Sequence, residues 1–453
     1  MANPELPVPD GLVLRPFRGV RFTVDDLAGV TSPPYDLIDE AGLRELLDTH
    51  PNNVVRLILP GIVRPRCAEA RETLQEWLSS GVLAADETPA IYVYEQSGPG
   101  ILQRGLIGDV GLAGPELHIV LPHENVMPGP VANRLALMRT TEANLEPIFL
   151  LYDGAGGAAT RLVDRIAASR PPLAEAVTND GVRHRLWAVT DTGELASINA
   201  DLRPRQALIA DGHHRYATYL ALQREHRAAR PTEPGPWDFG LALLVDSSAY
   251  PPHLKAIHRV IPELPLREAL AKASGSWRVR EHADLTEGLA ALEESTGPAY
   301  LLSGGDLTYL LTDPDPDRLA HAMPTDRSTG WRALNTSILA EFLLPKVWGM
   351  QDDERSVRVV HHDPKAAVQL ARASGGTAVL LRPLAVDDVL SIAARGERVP
   401  RKSTSFGPKP RTGLVLRLLT TPAQAPPTSG PAPQEAGAWR DSDISDSQRF
   451  GKQ

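Results

Sequence analysis

Short apolar runs alternate along the chain with segments in which apolar residues recur at helical spacing. Short runs of apolar residues predict buried strands, and recurrence at helical spacing predicts amphipathic helices. The predicted strands are 54–59, 91–94, 106–112, 148–152, 185–189, 206–210, 240–245, 277–280, 299–303, 307–311, 357–361, 378–381 and 414–419. The predicted helices are 67–78, 158–168, 216–229, 266–273, 285–294, 334–347, 364–373 and 386–394. This interleaving predicts an α/β (mixed α+β) fold, with mixed or parallel sheets covered by helices.

Breaks in the pattern divide the chain into three parts. The Pro-rich segment 231–237 separates an N-terminal α/β part, residues 1–230, from a C-terminal α/β part, residues 238–420. Residues 421–453 are rich in Pro, Ala, Ser and Asp and have almost no bulky aliphatic side chains. Such a segment cannot bury enough apolar area to offset its ordering entropy. We therefore expect a disordered tail after one large domain or two closely packed ones.

Composition excludes several classes of protein. The formal net charge of -9 over 453 residues argues against nucleic acid as a partner. The one cysteine, Cys67, cannot form an intrachain disulfide or a multi-cysteine zinc site. We find no apolar run of about 18 residues that would span a membrane. The first residues lack a basic start and an apolar core, so we expect a cytoplasmic protein.

One strand-to-helix junction, ADGHHR, carries an unusual run of polar residues. A helix start presents free amide N–H groups and a partial positive charge, and Gly212 allows a ligand to approach the backbone closely. His213, His214 and Arg215 add side-chain donors, so the junction predicts a site for phosphate or another oxyanion. Asp211 could cap the helix, bind a metal or accept a proton from a hydroxyl. The alternative is a capped helix start with exposed histidines.

A second cluster begins with His123 and Glu124 in the sequence HENVMPGP, and Arg134 and Arg139 follow it. A carboxylate near a phosphate site can hold Mg²⁺ or act as a base toward a substrate hydroxyl. The arginines can neutralise phosphoryl charge, and Asn144 could orient a ligand. The alternative is a surface loop with ordinary salt bridges.

A third cluster is the basic loop, residues 400–411, which combines four cations with three hydroxyls and several Pro and Gly residues. In an acidic protein such a segment attracts an anion. Lys402 and Lys409 are the predicted phosphate contacts, with Ser403 beside them. The alternative is a solvated run of charges before the last strand.

Two shorter segments are also candidates. Two prolines stiffen the turn TSPPYD, whose Tyr35 and Asp36 could line a pocket; packing and helix capping are the alternative. The sequence HHD at 361–363 has the residue types of metal ligands. We interpret it as a strand end in which Asp363 caps the next helix.

Taken together, these motifs resemble the bacterial and archaeal family catalogued as domain of unknown function 1015. The matching pieces are PFRG at 16–19 with Arg21, SPPYD at 32–36, His123 and Glu124 with Arg134 and Arg139, Asn144 with PIF at 147–149, ADGHHRY at 210–216, HRV at 258–260, KST at 402–404, PKP at 408–410 and GLV at 413–415. The sequence departs from the family pattern at three positions. Val126 stands where the family has Thr, and Ser405 and Gly407 stand where it has aromatic residues. These departures imply altered substrate choice or reduced activity.

A shorter segment, residues 211–218, resembles the nucleotide-phosphate motif of chromosome-partition ParB proteins, sulfiredoxin and the ParB-like free serine kinases. This resemblance implies a ParB/sulfiredoxin-like strand–turn–helix unit in which the four residues from Gly212 to Arg215 hold phosphate. ATP or ADP, with Mg²⁺ at Glu124 and Asp211, are the cofactors that such a site would use. Members of the first family are often encoded beside serine-biosynthesis enzymes, which implies serine or phosphoserine as the substrate.

We therefore expect a phosphotransfer enzyme, a kinase or a phosphatase, acting on a small hydroxylated or phosphorylated metabolite. Glu124 or Asp211 would serve as the base or metal ligand, with His123 and His213 as further catalytic candidates. Arg134 and Lys402, on this hypothesis, would offset charge in the transition state.

Two alternatives remain open. One is a non-catalytic sensor that binds a nucleotide or metabolite in a ParB-like site. The other is a metal-dependent hydrolase built on His123, Asp211, His213 and His214. The sequence leaves the direction of phosphoryl transfer and the oligomeric state open.

Overall fold

Strands make up two large sheets and three two-stranded ones in a computed structural model that describes residues 9–61, 66–353 and 355–420. The strands are β1 Leu14–Arg15, β2 Val20–Phe22, β3 Leu83–Ala85, β4 Ile91–Gly98, β5 Ile101–Gly111, β6 Val120–Leu121, β7 Ala143–Asn144, β8 Ile148–Tyr152, β9 Ala174–Val177, β10 Arg183–Val189, β11 Ala207–Asp211, β12 Phe239–Asp246, β13 His253–Lys255, β14 Ile257–Ile261, β15 Arg278–His282, β16 Tyr300–Ser303, β17 Thr308–Thr312, β18 Arg358–His361, β19 Thr377–Leu380, β20 Ser405–Gly407 and β21 Arg417–Leu418. The predicted disordered tail, residues 421–453, lies outside the described residues.

Helices occupy most of the segments between the strands. They are α1 Leu27–Val30, α2 Glu40–Thr49, α3 Val55–Ile58, α4 Cys67–Ser79, α5 Pro128–Thr141, α6 Ala158–Ser169, α7 Thr192–Leu202, α8 His213–Ala229, α9 Leu266–Ala273, α10 Leu285–Glu294, α11 Pro316–Ala322, α12 Thr329–Ala333, α13 Asn335–Ile338, α14 Pro364–Ser374 and α15 Val386–Ala394. A π-helical segment, Leu339–Trp348, continues from α13. None of the helices in the described part of the chain has the length and apolar character needed to cross a bilayer.

The two large sheets differ in topology. The first has nine strands in the order β6-β11-β8-β12-β5-β4-β10-β9, with β1 paired to β5. It is mixed, because β6 with β11 and β8 with β12 run parallel while the other pairs are antiparallel. The second has six antiparallel strands in the order β15-β17-β16-β19-β14-β18. The predicted mixed α/β class is therefore confirmed.

The first sheet provides the rigid base for the strand-to-helix junction. All five residues of β8 are buried between its neighbours β11 and β12, as expected for an apolar run in a central strand. β11 then leads through Gly212 into α8, which forms the predicted strand–turn–helix unit.

The two sheets are consecutive along the chain. β12 belongs to the nine-stranded sheet although it follows the Pro-rich segment 231–237, so the chain passes to the second sheet only after Asp246. The described residues up to Thr420 belong to one compact unit. The division of the chain into two parts at 231–237 stays a prediction.

The strand predicted for residues 54–59 is wrong, because this segment forms α3. Short buried apolar runs have the same pattern in a strand and in a buried helical turn. Contacts of Asn53, which is fully buried, favour the helical turn over the strand. Its Oδ1 accepts the N–H of Val55 at 3.0 Å, and its Nδ2 donates to the carbonyl of Gly29 at 2.7 Å. A long-range contact thus starts the helix.

Two other segments are shorter or less regular than predicted. The helix expected for 334–347 is α13 followed by the π-helical segment, which contains Pro345. A proline has no N–H to donate within a helix, which disturbs the regular α-helical pattern. The strand expected for 414–419 is reduced to β21, Arg417–Leu418.

We predict that Asn53→Ala lowers the free energy of unfolding by about 2–4 kcal/mol, because it leaves buried backbone groups without partners. The adjacent Asn52→Ala is the matched control. The side chain of Asn52 makes no such buried contact, so Asn52→Ala should change the free energy of unfolding by no more than about 0.5 kcal/mol. Chemical denaturation of both variants measures the difference, and equal losses would contradict the role given to Asn53.

Candidate functional site

A cavity of about 250 Å³ lies at the start of α8. Its walls come from the first turn of α8, the loop 122–127 between β6 and α5 (the His-Glu loop), the turn at Tyr35, the basic loop and the end of β18. The predicted site residues in these walls are Tyr35, Glu124, Asp211, Gly212, His213, His214, Arg215, Lys402 and Lys409. The structure thus brings members of all three predicted clusters to one place.

The turn at Gly212 leaves space beside a buried donor. Gly212 has a φ of +94°, and a Cβ added there would lie 3.1 Å from both Nε of Arg215 and Cγ2 of Ile148. Arg215 is only 4% exposed. Its Nη1 donates to the carbonyl of Pro147 at 2.6 Å and its Nη2 donates to Asp211. Within the described residues its Nε has no hydrogen-bond partner, so a buried N–H borders the space at this turn.

Backbone amides of α8 add to this donor. The first hydrogen bond of the helix runs from the N–H of Tyr216 to the carbonyl of Gly212 at 2.8 Å. The N–H groups of His213, His214 and Arg215 therefore precede the helical ladder and have no acceptor within the helix. The partial positive charge of a helix N-terminus is thus presented to the cavity, which favours an anion.

The two histidines fasten the His-Glu loop to α8. Nε2 of His213 accepts the backbone N–H of His123 at 3.2 Å and that of Glu124 at 3.4 Å. Nε2 of His214 accepts the N–H of Met127 at 3.1 Å. A ring nitrogen that accepts is unprotonated, so each ring has its proton on Nδ1 when neutral. Burial lowers the pKa of both rings, and of His213 strongly. Any side-chain contact to phosphate would have to use Nδ1, and that role stays a prediction.

Glu124 is held in place by the basic loop. Its Oε1 accepts the hydroxyl of Thr404 at 3.0 Å and the N–H of Ser403 at 3.2 Å. The same Thr404 hydroxyl lies 2.7 Å from Nε2 of His123. Burial raises the pKa of Glu124, and it lowers the pKa of His123 to about 3. Glu124 is therefore a carboxyl group that can take up or release a proton closer to neutral pH than usual.

Lys409 is directed to carboxylates. Its Nζ lies 2.5 Å from Oδ2 of Asp36 and 2.5 Å from Oδ1 of Asp211. Burial alone would lower the pKa of Lys409, but Asp211 and Asp36 outweigh it and raise the pKa. Burial would likewise raise the pKa of Asp36, and the charge of Lys409 outweighs it and lowers the pKa. The predicted phosphate contact of Lys409 is thus limited to the third N–H of its ammonium group.

Lys402 is in a different position. It lines the cavity, and no ion pair of its ammonium group occurs within the described residues. Its carbonyl accepts Nη2 of the buried Arg259 at 3.0 Å, which holds its backbone while its side chain remains available. Lys402 is therefore the lysine best placed to contact an anion in the cavity.

Several predicted residues support the site from outside the cavity. Arg134 donates to the carbonyl of Ile58 at 2.7 Å, and its guanidinium group lies 4.3 Å from the ring centre of Tyr35. The hydroxyl of Ser403 donates to the carbonyl of Pro400 at 2.6 Å. Both residues therefore fix the position of groups that line the cavity.

Two other predicted residues lie away from it. Arg139 forms a surface ion pair with Glu225. Asn144 is buried, and its Oδ1 accepts Nη1 of Arg417 at 2.9 Å and the N–H of Leu241 at 3.3 Å. Because these groups satisfy one another, the structure does not bring Arg139 or Asn144 to the cavity.

The predicted metal ligands are not arranged as a metal site. Oδ1 of Asp211 contacts Lys409 and Oδ2 contacts Arg215, while Oε1 of Glu124 accepts two hydrogen bonds. In the parts of the chain that the structure describes, no group of three or more His, Cys, Asp or Glu side chains could hold a metal ion. Because both oxygens of Asp211 are in ion pairs, the predicted pair of Glu124 and Asp211 does not fit Mg²⁺, and the hydrolase alternative has no ligand cluster among the described residues.

Sequence reasoning gave no site role to several residues in the walls, among them Thr404 and His361. Thr404 lies within the KST motif but was not assigned a role, although its hydroxyl joins Glu124 to His123. His361 comes from the second sheet. The interpretation of its segment is confirmed, since β18 ends at His361 and Asp363 caps α14 by accepting the N–H of Ala366 at 3.0 Å. Nothing in the sequence near His361 reveals that β18 ends at the cavity.

The departures from the family pattern fall at or near the walls. Ser405 lines the cavity, and its hydroxyl lies 3.1 Å from Nε2 of His362. A hydroxyl thus borders the cavity where the family pattern has an aromatic ring. Val126 is exposed, between two residues that line the cavity.

We predict that Gly212→Ala lowers the free energy of unfolding by about 2–3 kcal/mol, since it adds close contacts to the cost of a positive φ. Gly100→Ala is the matched control. Gly100 has a φ of +70° and nothing within 4 Å of an added Cβ. Gly100→Ala should lower the free energy of unfolding by only about 1–2 kcal/mol. Chemical denaturation decides the matter, and an equal loss in both variants would show that the space at Gly212 is not closely bounded.

We also predict a loss of stability in acid that depends on His123. Its pKa falls from 6.5 to about 3 in the fold because of burial. Protons therefore bind preferentially to the unfolded chain, so the stabilisation is complete above about pH 6.5 and is lost as the pH falls toward 3. His123→Gln should reduce the slope of unfolding free energy against pH by up to about 1.4 kcal/mol per pH unit. The exposed His253→Gln should leave the slope unchanged; identical slopes in both variants would contradict the assignment.

Comparisons with solved structures return similarities at low identity. Free serine kinase in complex with AMP is 13% identical with a TM-score of 0.34, and the match covers 67% of this chain and 87% of that one. A conserved hypothetical protein from Pyrococcus furiosus is 13% identical with a TM-score of 0.33, covering 67% and 90%. SbnI with a C-terminal truncation, from Staphylococcus aureus, is 11% identical with a TM-score of 0.35, covering 69% and 87%. Similarities this low support no inference about activity.

The family comparison is more decisive. No curated protein matches the sequence. The model of the family described as protein of unknown function (DUF1015) matches residues 14–337, which is more than half of the chain. This confirms the resemblance for the motifs within that range, while the pieces at 402–415 lie beyond it, and the chain belongs to the DUF1015 family.

Proposed function

We propose that this protein is a phosphotransfer enzyme that binds a small phosphorylated or hydroxylated metabolite at the start of α8. The observation that carries the proposal is one cavity lined by a helix start with free amide donors, a lysine and a carboxyl group with a raised pKa. Its volume of about 250 Å³ lies just below the range of about 300–1,000 Å³ that is usual for small-molecule sites. This size favours a small metabolite.

The anion side of the site is the turn at Gly212. A buried N–H without a partner costs about 1–3 kcal/mol, and a bound oxyanion would offset that cost at Nε of Arg215. The free amides of α8 and the ammonium group of Lys402 would provide further donors. These groups are held by a sheet strand and by hydrogen-bonded loops, so little reorganisation is needed when the ligand binds.

The proton side of the site is Glu124. Thr404 and Ser403 hold Oε1, so Oε2 is the oxygen that would meet a ligand. As a carboxylate it would accept the proton of an attacking hydroxyl, which is kinase chemistry. As a carboxylic acid it would protonate the oxygen that leaves a phosphomonoester, which is phosphatase chemistry. In the phosphatase reaction water takes the phosphoryl group and releases its proton to solvent, so hydrolysis is not the reverse of the kinase step. Glu124 would act as a base toward the hydroxyl in the kinase reaction and as an acid toward the leaving oxygen in the phosphatase reaction.

Serine or phosphoserine is the substrate that we propose within this class. The α-carboxylate of a free amino acid would share the ammonium group of Lys402 with the phosphate. Its α-ammonium group would donate to a carboxylate oxygen that Lys409 does not contact, Oδ1 of Asp36. The cavity is too small to enclose a whole nucleotide, so ATP or ADP as phosphoryl donor would place only its phosphate end inside.

The test is turnover by the full chain. We expect release of phosphate from phosphoserine, or formation of phosphoserine from serine with ATP or ADP, each measured with and without Mg²⁺. Glu124→Gln should lower kcat by about 100-fold or more. Glu116→Gln, at an exposed position, is the matched control and should retain full activity.

A different outcome would favour the sensor. Both histidines use Nε2 to hold the loop, an arrangement that also suits a site which binds without chemistry. Thermal stabilisation by phosphoserine or a nucleotide, with no turnover of any of these substrates, would indicate a binding protein instead of an enzyme.

A further inference from the structure

Lys409 lies between two carboxylates that come from distant parts of the chain. Nζ is 2.5 Å from Oδ2 of Asp36 and 2.5 Å from Oδ1 of Asp211, so these two oxygens lie within about 5 Å of each other. All three side chains line the cavity. Two acidic groups this close in a partly buried site repel one another unless a cation separates them.

The cation is part of the protein. Lys409 and Arg215 together balance the charges of Asp36 and Asp211, since Arg215 donates to the second oxygen of Asp211. A divalent cation here would need carboxylate oxygens at about 2.0–2.6 Å with free lone pairs. The ammonium group already occupies the space between those oxygens. The Mg²⁺ expected at Glu124 and Asp211 therefore disagrees with the arrangement of the charges.

We propose that Lys409 is a built-in cation that takes the place of a divalent metal, so that phosphorylated ligands bind this cavity without Mg²⁺. The nature of the ligand rests on the proposed function, but the position of the cation does not. An ammonium group has three N–H donors, and two of them face Asp36 and Asp211. The third is available to an anion, as a coordination position of a metal would be.

Removal of Lys409 reverses the electrostatics of this wall. Asp36 would lose its partner, and Asp211 would keep only Arg215. The excess negative charge would repel a phosphate and attract a divalent cation. Lys409→Met keeps much of the side-chain volume and removes the charge. Lys409→Arg keeps a cation at this position and should behave like the wild-type protein.

The first measurement is Mn²⁺ binding to the full chain, with electron paramagnetic resonance as the readout. We expect no site-specific binding to the wild-type protein or to Lys409→Arg. Lys409→Met should bind Mn²⁺, and the double variant Lys409→Met with Asp36→Asn should lose it again. Binding to the wild-type protein with the affinity of Lys409→Met would overturn the proposal, as would a folded Lys409→Met that binds no Mn²⁺. Circular dichroism and thermal unfolding identify variants that fail to fold, and in that case Lys409→Gln replaces Lys409→Met.

The second measurement is calorimetric titration with phosphoserine and with inorganic phosphate, in EDTA and in Mg²⁺. We expect the dissociation constants in EDTA and in Mg²⁺ to agree within about twofold. Lys409→Met should lose affinity for both ligands by about tenfold or more. Lys365→Met, at an exposed lysine on α14, is the charge-matched control. Binding at least about tenfold tighter in Mg²⁺ would refute the proposal. If neither ligand binds under any condition, the proposed function fails, while the Mn²⁺ measurement still decides the role of Lys409.

Discussion

Asp211 stands in the middle of a series of partly buried charges that joins three distant segments of the chain. One of its oxygens accepts Arg215 of its own helix start, and the other contacts Lys409 of the basic loop, which also contacts Asp36. Buried charges are costly unless each has a partner. Because removal of any member would leave another uncompensated, the loops around the cavity are positioned together rather than one at a time.

Hydrogen bonds also tie the segments around these charges to one another. Two histidines of α8 accept backbone N–H groups of the His-Glu loop, and Glu124 of that loop accepts a backbone N–H from the basic loop. Arg259 of the second sheet donates to carbonyl groups at the start of the basic loop. Pro33 and Pro34 in the turn at Tyr35, and Pro408 and Pro410 in the basic loop, restrict φ and so lower the entropy lost on folding. The result is a preorganised cavity at the meeting point of irregular segments.

Elements with a strong local pattern were predictable. The helices 266–273, 285–294 and 386–394 and the strand 148–152 have the predicted bounds, because the apolar pattern that specifies each one lies within the element itself. The segment 54–59 was not predictable, since the buried Asn53 starts a helix through a contact with Gly29. The site divides in the same way: the turn at Gly212 between a strand and a helix could be seen in the sequence, and the placement of Arg139 and Asn144 away from it could not.

The sequence by itself determined the turn at Gly212, the helix that follows it and the residue types of the three polar clusters, because backbone preference and apolar periodicity act over a few residues. Tertiary structure alone decided that Lys409 contacts carboxylates, that His213 and His214 accept backbone N–H groups, and that His361 reaches the cavity from the second sheet. The physical reason is that charges and hydrogen-bond groups find partners through space. Which partner each one meets depends on how segments up to several hundred residues apart pack together.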